Sequence, residues 1–188
     1  MKLFRILTIT LFVFIQLSAH SQVKKAGPWS IGIGFNFVDN DGYPFSRLVK
    51  TKSDWNGLPF PNTITVGYKY NKRLSFEFSE SMNSFKAGQI IDQGVLEVNR
   101  FFINTNLNGK FHFNSLENKL TWFDPYASVG AGMTCMAKVV SFYPTVGLGS
   151  NFWFSKHFGV NLQSMANFTV SNKNSNFLVH MLTFKYRY

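Results

Sequence analysis

From Trp29 onward, apolar residues recur at every second position, in segments about as long as the ~9–11 residues a tilted strand needs to cross a bilayer. Trp29, Ile31, Ile33, Phe35 and Phe37 form one face of a first strand, with Ser30, Gly32, Gly34 and Asn36 on the other. The pattern repeats in Ile64, Val66, Tyr68 and Tyr70 against Thr63, Thr65, Gly67 and Lys69, and in Leu74, Phe76 and Phe78 against Ser75, Glu77 and Ser79. A fourth strand sets Phe101, Ile103, Thr105, Leu107, Phe111 and Phe113 against Phe102, Asn104, Asn106, Asn108, Lys110 and His112. Trp122 to Thr134, Phe142 to Phe154, Phe158 to Phe168 and Leu178 to Tyr188 supply four more, and no segment has helical periodicity. The pattern predicts an all-β chain of eight strands.

A soluble sandwich also alternates, but it crowds charge onto its solvent face. Here the polar face is mostly Gly, Asn, Ser and Thr, which suits the cramped interior of an eight-stranded antiparallel up-and-down transmembrane β-barrel whose outside meets lipid. Three-residue connections, Asn71 to Arg73 and Ser155 to His157, preserve parity across their hairpins, so Tyr68 should pair with Phe76 and Phe152 with Val160. Longer connections, Asp39 to Pro61 and Ser81 to Val98, alternate with the short ones. In an outer-membrane barrel that order puts the long ones outside the cell and both termini in the periplasm. Trp29, Tyr70, Trp122, Phe154, Phe158, Tyr186 and Tyr188 would then form a girdle at the periplasmic boundary.

Composition narrows the class. Only 15% of the 188 residues are charged while 18% are aromatic, which excludes disorder. Outside the first 20 residues, no run approaches the ~18 apolar residues of a membrane helix. Residues 1–21 carry Lys2 and Arg5, the apolar run Ile6 to Leu17, and small residues at Ser18, Ala19 and Ser21, the pattern of a secretory signal peptide. Residues 22–188 would be the barrel. Cleavage removes two of the charges behind the net +10, and export leaves no nucleic-acid partner for the rest. Arg47, Lys50, Lys52, Lys86, Lys138 and Lys173 fall in the outer connections, where they could meet lipopolysaccharide phosphates.

Candidate chemistry is sparse. The charges assigned to the lumen are Lys69, Glu77, Lys110, Lys185 and Arg187, with Glu77 opposite Gly67 and diagonal to Lys69, its expected partner. The cluster reads as a structural plug, with a charged gate as the alternative. The histidines His112, His157 and His180 show no metal-ligand spacing. No His-x-Ser occurs, and His180 has no Ser or acidic neighbour on its own strand, so no catalytic residue, metal or cofactor is expected. Cys135 reads as an incidental thiol.

Trp29 to Phe37, Asp54-Trp55-Asn56, Pro59-Phe60-Pro61, Trp122 to Tyr126, Gly147-Leu148-Gly149 and Asn176 to His180, in this order and spacing, resemble the amino-terminal barrel of OmpA-family proteins of Bacteroidetes type. The run Leu182 to Tyr188, with Phe184, Tyr186 and Tyr188 on one face, resembles the terminal signal read by the barrel assembly machinery. Such proteins usually continue into a peptidoglycan-binding domain, which this sequence lacks, so in extent it looks more like OmpX-type barrels. The resemblance implies a non-enzymatic outer-membrane barrel, structural or a small subunit of an assembly with other outer-membrane proteins. The alternatives are a small-solute channel, a ligand- or adhesion-binding barrel or, less favoured, a lipid A-modifying enzyme.

Overall fold

Alternation becomes wall and lumen in the computed structural model, which describes residues 29–39, 55–91, 94–113, 122–137, 139–170 and 176–188. The proposed signal peptide lies outside them. The strands are β1 (Trp29–Asp39), β2 (Trp55–Gly57), β3 (Thr63–Lys69), β4 (Leu74–Phe85), β5 (Ile90–Ile91), β6 (Gly94–Val95), β7 (Arg100–His112), β8 (Phe123–Met136), β9 (Val139–Trp153), β10 (Phe158–Asn167) and β11 (Phe177–Arg187). Eight of them, β1, β3, β4 and β7 to β11, form an antiparallel meander in chain order. It closes where β1 meets β11, in a register running from Ser30 opposite Arg187 to Asp39 opposite Leu178. Closure leaves the sheet without long open edges, the condition for spanning a bilayer with strands.

Each strand turns one apolar side chain after another outward: Ile33, Ile64, Phe76, Leu107, Val129, Leu148, Leu162 and Leu182 are all exposed, Leu148 at 66%. Their lumen counterparts, Asn36, Thr65, Glu77, Asn106, Ser128, Thr145, Asn161 and Thr183, are all buried. This arrangement is inside out relative to a soluble domain, and it excludes the sandwich, because so continuous an apolar exterior is not stable in water. Glu80 is a charged residue on the outward face, between Ile64 and Thr105.

The short turns are set by their first residue. Asn71 Oδ1 accepts the N–H groups of Arg73 and Leu74, both at 2.8 Å, and Ser155 Oγ accepts those of His157 and Phe158 at 3.2 and 2.8 Å. Side chains that take backbone donors two and three residues on are what make Asn and Ser turn formers. The expected pairs are present, Tyr68 with Phe76 and Phe152 with Val160. We call this rim, which also carries Trp29 and Tyr188, the turn end, and the opposite rim the loop end.

The loop end departs from expectation. β4 continues to Phe85, so the second long connection begins five residues later than expected and folds partly into the β5–β6 hairpin. β8 and β9 extend to Met136 and Val139, leaving a two-residue turn where a longer loop was expected, with Ala137 at φ 50°. Cys135 therefore sits within the wall, paired with Ile103 and Val140.

β3 stops at Thr63 while β1 and β4 run on, and Asn62 fills the break. Its N–H donates to the Gly34 carbonyl and its Oδ1 accepts the Asn36 N–H, each at 2.8 Å. Its Nδ2 donates to the Met82 carbonyl at 2.8 Å, and its own carbonyl accepts the Met82 N–H at 2.9 Å. Beyond it, β2 takes over as the neighbour of β1.

The lumen has two zones. Toward the loop end it is apolar: Val38, Phe85, Ile91, Phe102, Tyr143, Met165, Phe177, Val179 and Met181 form one buried cluster. Edge-on ring contacts at 5.1 Å (Phe85–Phe102), 5.7 Å (Phe102–Phe177) and 5.1 Å (Tyr143–Phe177) hold it. Toward the turn end it is polar and charged.

Candidate functional site: the lumen charge cluster

Glu77 on β4 and Lys110 on β7 both point inward, two residues out of direct register, since Glu77 stands opposite Asn108 and Ser75 opposite Lys110. The lysine reaches along the diagonal, and Nζ lies 2.5 Å from Glu77 Oε1. Lys185, on β11 across the lumen, takes the other carboxylate oxygen. The sequence expectation that Lys69 would hold Glu77 is corrected: the carboxylate binds the two lysines that reach the middle of the lumen, while Lys69 stands nearer the rim, opposite Ser75. Arg187 is likewise outside the cluster. Its guanidinium lies 4.0 Å from the Trp153 ring centroid, and Nε donates to the Lys156 carbonyl at 2.6 Å.

A carboxylate buried this deeply requires its charge and lone pairs to be matched, because isolated burial costs several kcal/mol. Two lysines share it here, and polar side chains take the remaining ammonium protons of Lys110. Lys110 Nζ also donates to Gln163 Oε1 at 2.9 Å and to the Tyr126 hydroxyl at 3.0 Å. That hydroxyl donates to Gln163 Oε1 at 2.9 Å and accepts from Asn161 Nδ2 at 2.7 Å. The network joins β4, β7, β8, β10 and β11, so it ties the wall together across its interior and crosses the bore.

Tyr126 and Asp124 were not identified as lumen residues from the sequence, although they continue the parity of Ser128, Gly130 and Gly132. Carrying that parity back through Pro125 would have found both.

Between the cluster and the turn-end rim lies a second arrangement. His112 Nδ1 is 2.9 Å from Asp124 Oδ1, and His112 Nε2 is 2.7 Å from Ser75 Oγ. Asp124 Oδ2 accepts from Asn151 Nδ2 at 3.1 Å. Outside the barrel, His180 Nδ1 lies 2.8 Å from Ser164 Oγ on the neighbouring strand, with Trp55 stacked 4.8 Å from the imidazole. The sequence expectation for His180 concerned its own strand alone, and across strands both His112 and His180 meet a serine.

Phe184, Tyr186 and Tyr188 lie on the outward parity at the turn end, where Phe158 contacts Tyr186 and Tyr186 contacts Tyr188, both at 5.1 Å. Of the basic residues assigned to outer connections, Arg47, Lys50, Lys52, Lys138 and Lys173 lie outside the described residues.

No protein-family model matches the chain, and no curated protein sequence does. Solved structures do. OprG, an outer-membrane protein of Pseudomonas aeruginosa, superposes with a TM-score of 0.60 at 15% identity, covering 89% of this chain and 98% of that one. The N-terminal barrel domain of OprF from the same organism gives 0.57 at 10% identity, with coverage of 88% and 100%. Ail, the attachment invasion locus protein of Yersinia pestis, gives 0.54 at 16% identity, with 87% and 100%. Such identities speak to architecture alone, and the chain has that of the eight-stranded outer-membrane β-barrels.

Proposed function

We propose that the protein is an integral outer-membrane barrel whose lumen is a plug rather than a pore, serving envelope structure or a larger outer-membrane assembly as a small subunit. The observation that carries this reading is the double seal. Glu77, Lys110 and Lys185 cross the bore in its polar half, and the Phe85–Phe102–Phe177 cluster fills its apolar half. An eight-stranded barrel is just wide enough for side chains to fill it. The apolar exterior suits bilayer lipid, and the turn-end rings suit the headgroup region. The turn end, with both termini, faces the periplasm, and the loop end faces lipopolysaccharide. The order of motifs favours an OmpA-like barrel of Bacteroidetes type, inserted by the barrel assembly machinery through Phe184, Tyr186 and Tyr188.

The test is conductance. Purified protein in planar bilayers should show no steady current, and Glu77→Ala should introduce small, intermittent events by leaving Lys110 and Lys185 unpaired. Stable ion-selective channels, unaffected by Glu77→Ala, would overturn the plug and promote the small-solute channel.

A further inference from the structure

Three strands bring Ser75, His112 and Asp124 together in an order that sequence distance conceals. Ser75 is the second residue of β4, His112 the last of β7 and Asp124 the second of β8, so all three sit at one rim of the wall, on the lumen parity. The connectivity is specific to each ring nitrogen. Asp124, an ionised acceptor, requires a proton on His112 Nδ1, 2.9 Å away. In the neutral imidazole, Nε2 is then the acceptor, and it faces the Ser75 hydroxyl at 2.7 Å. Asn151 holds the other carboxylate oxygen at 3.1 Å, and the His112 N–H donates to the Arg73 carbonyl at 2.8 Å, so both base and carboxylate are fixed in orientation. His112 and Asp124 are largely buried, with side-chain exposures of 5% and 14%, while Ser75 is only half-buried. Nucleophile, base and orienting carboxylate in hydrogen-bond contact are the geometry of acyl transfer, recognised by roles rather than by chain order or fold.

We infer that Ser75, His112 and Asp124 form a hydrolytic triad at the turn-end mouth of the lumen, acting on short-chain carboxylic esters of a polar or acidic carrier. This goes beyond the structural role and is independent of whether the lumen conducts. Ser75 Oγ adds to the ester carbonyl as its proton passes to His112 Nε2. The tetrahedral adduct expels the alcohol, which takes that proton, and leaves an acyl-Ser75 ester. Water then attacks the acyl carbon, giving its proton to His112 Nε2, and the carboxylic acid leaves as the proton returns to Ser75 Oγ. Lys69, directly opposite Ser75 on the same face, supplies the positive charge for the oxyanion.

The surroundings set the substrate. All three side chains lie behind the wall, away from lipid, so an acyl chain held in the bilayer cannot reach them. The lumen is closed just inward, where the Tyr126 ring lies 5.5 Å from the His112 ring and Lys110 binds Glu77, Tyr126 and Gln163. That floor bars a long acyl chain from running inward along the lumen. Lys69 and Arg187 at the same mouth favour a carrier that is neutral or acidic.

The test uses the full-length barrel in detergent, with heat-resistant gel mobility confirming that each sample is folded. A fluorophosphonate probe should modify Ser75, as located by mass spectrometry, and p-nitrophenyl acetate should be hydrolysed while the palmitate ester is not. Ser75→Ala should abolish both labelling and hydrolysis. Asp124→Asn, which imposes the wrong tautomer on His112, should reduce hydrolysis at least about a hundredfold. The labelling needs no variant, so a folded barrel whose Ser75 stays unmodified would overturn the proposal. Acetate ester hydrolysis undiminished in Ser75→Ala would do the same.

Discussion

Lys110 reaches two residues along the register to Glu77, its Nζ 2.5 Å from Oε1 although Ser75 is its direct partner across the strands. The diagonal makes the pair a brace between β4 and β7, and Lys185 extends the brace to β11. Removing the carboxylate strands two buried ammonium groups, whereas removing one lysine leaves Glu77 with the other. Glu77→Ala should therefore cost about 3–5 kcal/mol, and Lys110→Met distinctly less. Urea unfolding of the barrel in lipid vesicles measures both, and the reverse order would show that Lys185 does not share the charge.

Phe76 faces outward on β4, paired with Tyr68 on one side and Gly109 on the other. A charge near the middle of the lipid face costs roughly 2–4 kcal/mol, so Phe76→Arg should sharply lower the yield of heat-resistant barrel. Unchanged gel mobility and yield would mean that this face does not meet lipid.

The seam between β1 and β11 admits no side chain at Gly34. A Cβ there would fall on the Leu182 carbonyl oxygen and 2.6 Å from Thr183 Cα, both backbone. Gly34→Ala should slow or prevent closure and leave an open, protease-sensitive sheet. Limited proteolysis after refolding reads this directly, and native protection would show that the seam can spread.

Ala137 adopts a left-handed conformation at φ 50° in the two-residue turn between β8 and β9. An L-residue with a Cβ costs roughly 1–2 kcal/mol there. Ala137→Gly should therefore stabilise the barrel, offset in part by glycine's entropy when unfolded. The urea midpoint should rise, and a fall would show that the turn is unstrained.

Orientation follows from the two rims. In a Cys135→Ser background, Val98→Cys at the loop end should react with a membrane-impermeant maleimide on intact cells, and Lys72→Cys at the turn end should not. The opposite pattern would invert the topology proposed above.

Parity was legible wherever a short turn fixed the register, as with Tyr68 and Phe76 or Phe152 and Val160. What escaped was everything that depends on strands distant in sequence. Lys110 reaches Glu77 across a long connection and Lys185 does so across the lumen, so neither partner can be counted off from a hairpin, whereas Lys69 can be and stands nearer the rim, opposite Ser75. The apolar half of the lumen escaped for a different reason. Phe85, Phe102, Phe177 and Val179 lie on the parity that elsewhere holds Asn, Ser and Thr, so the rule that separates wall from bore reverses near the loop end. Ser75, His112 and Asp124 combine both obstacles, since three strands and two connections separate residues that touch.

Asn62 completes the wall where β3 has ended, and one amide side chain stands in for the strand that would otherwise lie between Asn36 and Met82. Hydrogen bonds made by a single side chain break without cooperative help from neighbours, unlike those of a ladder. Amide deuterium uptake should therefore be fastest in the wall at Asn36, whose N–H is held by the Asn62 side chain, while Thr65, deep in β3, stays protected. Breathing of the barrel would be confined to one sector of its loop-end rim, so the molecule as a whole can remain kinetically locked in the membrane while that sector opens and recloses.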